Sequence, residues 1–382
     1  MNNLKEISKN IVADALNLDQ SEVHDDASSA TIRQWDSLAL IRIIVGIEKI
    51  IGEELPRDIS SKLSSIKDVE RTLGLYLQKP SELNSDSEAV ELHQNTGQSY
   101  GEQLRSRMKT GKILPLIGVF DQFSASLAGR EFEGIFCSGY GFAASYYGLP
   151  DEGYIAWPDI VNYVERMRAI LPENHIVVDI DEGYGDANIA ATVATRLERV
   201  GASAVILEDQ RRPKQCGHLE GKEVMPVDDY IRRLDAVLTA RDEMFVVARS
   251  DSTNFEDGLK RVSTYANVGA DAIMLEGLSS VEDVSRVRDA VKSDAYIVVN
   301  LIAGGKTPPV SLTELKSKGA DLVIYSTPCL FHAHEAIQNG LKALKANDGK
   351  LIPDQSGIGF MDNINLFRDN VVKLLNKSSS KR

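Results

Sequence analysis

One loop in the middle of the chain contains most of the side chains that are able to do chemistry. Two acids, Glu208 and Asp209, directly follow the apolar run at residues 204–207. The loop beyond them contains an ammonium, a thiol and an imidazole, on Lys214, Cys216 and His218. Nearby cations favour the thiolate form of a cysteine, so Cys216 is predicted to be a proton donor or a nucleophile. His218 also fits a loop histidine without a chemical role.

Three acids near neighbouring strand ends are candidates for a metal site. Asp179 and Asp181 are two residues apart, so on a strand both side chains point to the same side. With Glu208 at the end of the next apolar run, these like charges repel unless a cation lies between them. Oxygen-only ligands are typical of a hard ion, which predicts Mg²⁺ or Mn²⁺ held by Asp179, Asp181 and Glu208. The alternative is that solvated acids cap the helices that follow.

Eight short apolar runs alternate with amphipathic helical stretches from residue 112 onwards. The runs cover residues 114–120, 134–137, 175–180, 204–207, 244–248, 272–275, 296–301 and 322–325. They are rich in β-branched residues and do not alternate with polar ones, which is typical of parallel strands buried on both faces. The pattern predicts an α/β fold, a (β/α)8 barrel of the TIM type. A doubly wound open sheet is the alternative.

In such a barrel the carboxyl ends of all strands meet on one rim, where these enzymes have their active sites. Further polar residues end other apolar runs: Ser138, Gly139 and Tyr140, then Arg249, Glu276 and Asn300. Together with the acids and the loop residues Lys214, Gly217 and His218, they form the predicted substrate site.

The chain divides by composition into three segments. Residues 1–78 have apolar residues at helical spacing and contain 13 acids against 9 Lys and Arg. Residues 79–105 are rich in Ser, Asn and Asp and poor in apolar residues, as is typical of a flexible linker. Residues 106–382 contain the predicted barrel and one further helix after Asn363.

Composition excludes several classes of protein. The formal net charge of -13 argues against a nucleic-acid partner. The three cysteines form no disulfide framework, and the first residues are charged and amphipathic, so a cytoplasmic location is expected. The sequence contains no run of about 18 apolar residues, so no membrane span is expected.

Several short motifs between residues 112 and 344 form one family pattern. They are Gly118-Val119-Phe120-Asp121, Ser138-Gly139-Tyr140-Gly141, Gly148-Leu149-Pro150-Asp151, residues 179–185, Glu208-Asp209-Gln210, Lys214-Gln215-Cys216-Gly217-His218, Ala248-Arg249-Ser250-Asp251 and Gly304-Gly305-Lys306-Thr307-Pro308. This pattern resembles the isocitrate lyase/phosphoenolpyruvate mutase superfamily, above all its methylisocitrate lyase-type branch. The resemblance implies a Mg²⁺-dependent barrel enzyme acting on a small carboxylic acid. It also implies a homo-oligomer, a dimer or tetramer, with exchanged C-terminal helices.

The resemblance implies a role for each matching residue. The metal would be held, directly or through water, by Asp179, Asp181 and Glu208. The 2-oxo acid would bind to Ser138, Gly139 and Tyr140, and Arg249 would bind its carboxylate. Asp151 would lie on a mobile segment over the site, and Cys216 would protonate the carbanion. These roles match retro-aldol cleavage, in which a divalent cation stabilises an enolate and a thiol quenches a carbanion.

Some positions decide between branches of the superfamily. Gln210 and the Cys216-Gly217-His218 motif favour a carbon–carbon lyase over a phosphonomutase. Gln215 stands where lyases usually have a basic residue, Glu182 where they have Thr, and Ile302-Ala303 where they have polar residues. We therefore expect a substrate whose distal end is less anionic than methylisocitrate. A 2-oxo diacid hydrolase, a phosphoenolpyruvate phosphonomutase and a non-catalytic barrel remain alternatives.

The first 78 residues resemble acyl carrier proteins, which are small all-α four-helix domains. The motif Trp35-Asp36-Ser37-Leu38-Ala39 opens the second predicted helix, and the resemblance implies 4′-phosphopantetheine on Ser37. It also implies a phosphopantetheinyl transferase and acyl-loading or condensing enzymes as partners, in specialised metabolism. The alternatives are that Asp36 or Ser37 merely caps a helix, or that the fusion only co-localises two enzymes.

Overall fold

The structure is a computed structural model of the 382-residue chain. It describes residues 2–35, 37–51, 55, 59, 63–77, 98–212, 214, 221–351 and 358–379. The chain forms two compact units, one made of Met1–Leu92 with Asp354–Arg382 and the other of His93–Pro353. This division differs from the expected one, because the last helix is grouped with the N-terminal helices instead of with the barrel.

The smaller unit is helical. It contains α1 (Asn2–Leu16), a short 3-10 helix (Gln20–Glu22), α2 (Ser37–Ile51), α3 (Ile66–Leu77) and a C-terminal helix (Phe360–Ser379). Ile43, Ile47 and Leu73 are fully buried in its core, and the C-terminal helix packs on α2 and buries Leu366. Within residues 1–78 the structure describes three α-helices and the 3-10 helix, and the expected four-helix arrangement stays a prediction. Residues 52–54, 56–58 and 60–62 lie outside the described part.

The larger unit is a closed barrel of eight parallel strands in sequential order. The strands are β1 (Leu114–Val119), β2 (Gly134–Cys137), β3 (His175–Asp179), β4 (Ala204–Glu208), β5 (Phe245–Ser250), β6 (Ala272–Leu275), β7 (Tyr296–Leu301) and β8 (Leu322–Tyr325). Every strand coincides with a predicted apolar run to within two residues at either end. The prediction of a (β/α)8 barrel is therefore confirmed, and the open-sheet alternative is wrong.

Ten α-helices are described in the barrel unit, and most of them cover the outside of the sheet. They are α4 (Tyr100–Met108), α5 (Gln122–Glu131), α6 (Gly139–Phe142), α7 (Trp157–Ile170), α8 (Ala187–Val200), α9 (Val227–Ala240), α10 (Phe255–Val268), α11 (Val281–Ala290), α12 (Leu312–Ser317) and α13 (Pro328–Ala346). Outward-facing strand residues pack against these helices in one core, and inward-facing residues fill a second core inside the barrel. No described helix is both long and apolar enough to cross a membrane.

Helix α4 packs into the inner core and corrects the expected linker boundary. The helix begins at Tyr100 after the capping residue Ser99, so residues 100–105 are not linker as expected. Its Leu104 and Met108 are buried among the inward-facing strand residues. The helix lies very close to the backbone before β5, because a Cβ at Gly101 would be 1.9 Å from the carbonyl oxygen of Glu243.

Candidate active site

The polar side chains of the rim occupy positions that point into the barrel. Along β4, Ala204 and Ile206 belong to the inner core, so Glu208 is the next inward position and Asp209 points outward. The same alternation of inward and outward positions places one polar residue above the apolar inner layer on six other strands. These residues are Ser138, Asp179, Arg249, Glu276, Asn300 and Ser326. The strand-end rule that identified most of these residues in the sequence also applies to Ser326, which the sequence analysis missed.

Asp179, Asp181 and Glu208, here called the acid group, are all buried. β3 ends at Asp179, so Asp181 does not lie on a strand as expected, and its backbone is left-handed with a φ of 50°. That conformation is uncommon for residues other than glycine and clusters at functional sites. Within the described chain, neither carboxylate oxygen of Glu208 has a hydrogen-bond partner, nor does Oδ2 of Asp181.

Lys214 brings a buried ammonium group into contact with the acid group. Its side chain is 2% exposed and pairs with Asp181 and, at 2.9 Å, with Oδ1 of Asp151. Burial alone would lower the pKa of Lys214, but the surrounding carboxylates, Asp181 first, raise it well above its usual value. Lys214 is therefore charged, and it ties the segment that contains Asp151 to the turn after β3.

Arg249 is held in one orientation by a neighbouring ion pair. Its Nε and Nη2 donate to the two carboxylate oxygens of Asp251 at 2.7 and 2.9 Å. Lys222 Nζ donates to Oδ1 of the same carboxylate at 3.0 Å. Arg249 Nη2 also lies 3.4 Å from Glu208 Oε2, and its Nε lies 3.6 Å from Glu276 Oε2. The guanidinium group is thus surrounded by acids, and no sequence motif indicates the contribution of Lys222.

Asp209 points outward and has several hydrogen-bond donors. Its carboxylate accepts hydrogen bonds from the Ser250 hydroxyl, the Asp251 N–H and the Tyr265 hydroxyl, each at 2.8 Å. Arg261 Nη1 lies 3.3 Å from the same carboxylate. These contacts, here called the outer network, fix the end of β5.

Negative charge exceeds positive charge in the buried part of the rim. Six carboxylates, those of Asp151, Asp179, Asp181, Glu208, Asp251 and Glu276, face three cations, Lys214, Lys222 and Arg249. Burial raises the pKa of Asp179 to about 6, although Lys214 acts to lower it. Burial also raises the pKa of Glu208 well above its usual value, although Arg249 opposes the shift. Burial is the main cause of both shifts, and the neighbouring cations do not reverse either of them.

A divalent cation fits this donor set. The oxygens of Glu208 and Asp181 that lack partners in the described chain are hard ligands, and a dication offsets the excess of carboxylates. Gly139 lies beside two carboxylates, because a Cβ there would lie 3.4 Å from oxygens of both Asp151 and Asp179. Across the described ranges, no three His, Cys, Asp or Glu side chains are arranged to hold one ion. Mg²⁺ commonly uses one or two carboxylates and several waters, so binding partly through water fits better than direct binding by all three acids.

A cavity of about 180 Å³ opens at this rim. The charged residues in its lining are Asp151, Asp179, Lys214, Arg249 and Glu276. The remaining lining includes the apolar side chains of Phe136, Ile206, Met274, Ile302 and Phe331, together with Tyr140. The rings of Tyr140 and Phe331 meet edge to face, with centroids 6.4 Å apart. The lining therefore combines charged and apolar side chains.

Most predicted site residues lie together at this cavity. Ser138, Tyr140, Asp151, Asp179, Lys214, Arg249, Glu276 and Asn300 line it. Asp181 and Glu208 contact the lining cations, and Gly139 lies beside Asp151 and Asp179. Cys216, Gly217 and His218 lie outside the described residues. Ser37 is the first residue of α2 in the helical unit, and its side chain also lies outside the described part.

The sequence analysis missed the apolar lining contributed by distant strands and by α13. Phe136, Ile206 and Met274 are inward-facing strand residues whose period-2 spacing was a usable signal. Thr327 and Phe331 come from the start of α13, and no local pattern relates them to the rim.

Comparison with known proteins agrees with this arrangement. Residues 104–345 match the family described as phosphoenolpyruvate phosphomutase. The chain is 30% identical over 255 residues to 2,3-dimethylmalate lyase of Eubacterium barkeri, which covers 64% of this chain and 86% of that protein. It is 34% identical over 261 residues to 2-methylisocitrate lyase of Shewanella oneidensis, and this match covers 66% of this chain and 87% of that protein.

A solved structure of oxaloacetate acetylhydrolase bound to the inhibitor 3,3-difluorooxalacetate is also similar. It has a TM-score of 0.67 and 27% sequence identity, and the match covers 74% of this chain and 95% of that one. The matched share is close to the size of the barrel unit, His93–Pro353.

Proposed function

The chain belongs to the phosphoenolpyruvate phosphomutase family, and we propose that it is a Mg²⁺-dependent carbon–carbon lyase acting on a small 2-hydroxy or 2-oxo acid. Relatives in this superfamily are lyases and mutases. The observation that carries the proposal is that the two buried Glu208 oxygens accept no hydrogen bond, as far as the chain is described, while the clamped guanidinium of Arg249 lies 3.4 Å from one of them. A site built in this way suits a small acid and a cation together.

In the proposed reaction Arg249, the acid group and Cys216 have different roles. Arg249 binds and orients the substrate carboxylate, because Asp251 and Lys222 fix its guanidinium group. The acid group holds the divalent cation, which when bound supplies a positive charge for the developing enolate oxygen. Cys216, which lies outside the described residues, donates the proton that quenches the carbanion.

The lyase is preferred over two other reactions of this superfamily. The similarity to oxaloacetate acetylhydrolase favours hydrolysis of a 2-oxo diacid as the second candidate. Phosphonomutase activity is less favoured, because Gln210 stands where phosphonomutases have Lys. These reactions are distinguished by their products, since hydrolysis of oxaloacetate yields oxalate and acetate whereas a lyase yields a 2-oxo acid.

Product analysis tests the proposal directly. The full chain is incubated with methylisocitrate, oxaloacetate or phosphoenolpyruvate, with Mg²⁺ or with chelator, and the organic acids are identified by mass spectrometry. We expect metal-dependent cleavage of a carbon–carbon bond that falls at least about 100-fold in Cys216→Ser. Cys329→Ser is the matched control, because it changes a thiol that the proposal does not use. Turnover that persists in chelator, or that is unaffected in Cys216→Ser, would contradict the proposed mechanism.

The proposal includes the helical unit as an acyl carrier. In this proposal 4′-phosphopantetheine is attached to Ser37, and the partners are a phosphopantetheinyl transferase and acyl-loading or condensing enzymes. The chain forms a homo-oligomer through the barrel. Its location is the cytoplasm, which keeps Cys216 reduced. The supporting features are the motif around Ser37 and its position at the start of α2. Intact mass after co-expression with a transferase tests it, with Ser37→Ala as control. An unmodified wild-type chain would contradict the carrier assignment.

A further inference from the structure

We propose that the barrel unit has a second binding site, which holds a small molecule by its phosphate groups. The site is a cavity of about 740 Å³ that shares no lining residue with the cavity of the candidate active site. Four arginines contribute to its lining, Arg211, Arg212, Arg232 and Arg233, and we call it the arginine cavity. The inference does not rest on the proposed lyase function, because none of these arginines has a role in that reaction.

The four arginines come from two segments that the fold brings together. Arg211 and Arg212 follow β4, whereas Arg232 and Arg233 lie on α9. Glu182, in the turn after β3, connects the two segments. Its carboxylate Oε1 accepts a hydrogen bond from Arg212 Nε at 2.6 Å, and its carbonyl oxygen accepts one from Arg233 Nη1 at 2.8 Å. Guanidinium groups from both segments therefore meet at one residue.

Arg212 is fixed in position but keeps part of its guanidinium group free. Its Nη1 donates to the carbonyl oxygen of Gly153 at 3.1 Å, and its guanidinium carbon lies 6.0 Å from the centroid of the Tyr184 ring. No described residue accepts a hydrogen bond from its Nη2, and the side chain is 39% exposed. A guanidinium group that is already oriented loses little conformational entropy when it binds an anion.

Positive charge exceeds negative charge in the lining of the arginine cavity. Three acids face the four arginines, namely Glu182, Asp186 and Asp229. Glu182 is bound to Arg212, and the Asp186 side chain accepts hydrogen bonds from two backbone N–H groups at the start of α8. Arg233 has no carboxylate partner among the described residues. An anionic ligand therefore finds an excess of positive charge in this lining.

The two remaining ion pairs at the cavity are exposed. Arg211 Nη1 lies 3.6 Å from Glu223 Oε2, and these side chains are 60% and 75% exposed. Arg232 pairs with Asp229 on the same helix, and these side chains are 68% and 45% exposed. Exposed ion pairs contribute little to stability. An anion with several charges can therefore replace the acids at Arg211 and Arg232.

A phosphate group suits this lining better than a carboxylate does. A phosphate monoester carries about 1.5 to 2 negative charges on three acceptor oxygens, so a single group can bind several guanidinium groups. A carboxylate offers only one charge for the same purpose. The cavity volume also lies within the range of roughly 300–1,000 Å³ that is typical of small-molecule sites, which leaves room for the rest of a phosphorylated ligand.

Pyrophosphate is the probe that tests the inference on the full chain. Calorimetric titration in the presence of a chelator, which removes divalent cations, measures its dissociation constant, and malonate serves as the dicarboxylate for comparison. We expect a dissociation constant below about 1 mM for pyrophosphate and binding at least about 10-fold tighter than that of malonate. Absence of binding at about 10 mM pyrophosphate, or malonate binding of equal strength, overturns the inference.

A double variant shows whether pyrophosphate binds in the arginine cavity. Arg211→Gln with Arg232→Gln changes two exposed side chains, and we expect it to weaken pyrophosphate binding at least about 10-fold. The control, Arg166→Gln with Arg199→Gln, removes the same charge from exposed positions on α7 and α8 that do not line the cavity. Its affinity should change less than about twofold, because salt screens distant charges.

Two results of these variants contradict the proposed site. Equal weakening in the double variant and its control would show a general attraction of anions to the surface, and it overturns the inference. Unchanged binding in the folded double variant overturns it as well. Arg232→Gln alone is the second variant if the double variant does not fold, with an expected loss of at least about threefold. Unchanged binding in that single variant has the same meaning.

Discussion

Glu208 and Asp209 are consecutive residues of one chain, yet their carboxylates have opposite surroundings. The Glu208 carboxylate points into the barrel, and no described residue forms a hydrogen bond with either of its oxygens. The Asp209 carboxylate points outward and accepts hydrogen bonds from Ser250, Asp251 and Tyr265. Both side chains are completely buried, so burial alone does not explain the difference.

The comparison separates two uses of buried charge. A buried carboxylate that accepts several hydrogen bonds stabilises the local structure, and losing its partners is costly. A buried carboxylate without partners is unfavourable for folding and is found where a ligand later supplies the missing interaction. The outer network is therefore expected to support stability, and the acid group is expected to support binding and chemistry.

The largest expected effect is on kcat and comes from neutralising Glu208, whose oxygens accept no hydrogen bond from the described chain. In Glu208→Gln we expect kcat at saturating Mg²⁺ to fall about 1,000-fold, or about 4 kcal/mol, because a charge facing the cation is lost. The free energy of unfolding should stay the same or rise, because a buried charge is removed. Steady-state kinetics and urea unfolding measure the two quantities. Wild-type turnover with a destabilised fold would reverse the comparison.

The matching change in the outer network should have the opposite signature. In Asp209→Asn the amide cannot accept all of the present hydrogen bonds, and Arg261 loses part of its charge neutralisation. We expect the free energy of unfolding to fall by about 3 kcal/mol. Urea unfolding of Glu208→Gln and Asp209→Asn compares their free energies of unfolding directly, because both changes replace a buried acid by its amide. Equal loss of stability in both variants would remove the distinction.

The pH dependence of stability tests the ion pair that joins the two regions. Although burial alone would raise it, the positive charges of Arg249 and Lys222 lower the pKa of Asp251 to about 2, below the ordinary value near 3.9. A lowered folded-state pKa gives stability that is present above about pH 4 and is lost as pH falls toward 2. Asp251→Asn should therefore cost about 2 kcal/mol at pH 7. That cost should shrink as the pH falls from 4 toward 2.

Urea unfolding of the wild type and Asp251→Asn across this pH range gives the measurement. Asp235→Asn changes an exposed acid on α9 and serves as the control. A stability difference that does not vary with pH would show that Asp251 contributes through packing alone.

The smallest expected effect comes from a single hydroxyl group. Tyr265→Phe removes one hydrogen bond to Asp209 and keeps the ring, whose centroid lies 4.2 Å from that of Tyr230. We expect the free energy of unfolding to fall by about 1 kcal/mol. Urea unfolding measures this loss, and kcat should change less than about threefold because the acid group is untouched. A large loss of kcat with normal stability would assign Tyr265 to the chemistry instead.

Strand positions and rim residues were predictable because they follow from local patterns. The apolar runs at 134–137, 272–275, 296–301 and 322–325 match β2, β6, β7 and β8 residue for residue. A strand alternates its side chains, so the polar residue that follows an apolar inward layer must face the rim.

Other features required the folded chain. Asp181 was expected on a strand, but the left-handed turn after β3 changes its direction. The pairing of Lys214 with Asp151 spans 63 positions in the sequence. The sequence predicts residues 100–105 of α4 as linker, because the apolar residues of this helix contact strands far along the chain. Local spacing contains no information about such distant partners.

The amino-acid sequence by itself determined the barrel, the order of its strands and the chemical types of the side chains at its rim, because each of these depends on neighbours within a few residues. Tertiary structure alone decided which acid is satisfied and which is left open. That outcome depends on which donors from β5 and α10 reach Asp209 and on the absence, within the described chain, of any hydrogen bond to the Glu208 oxygens.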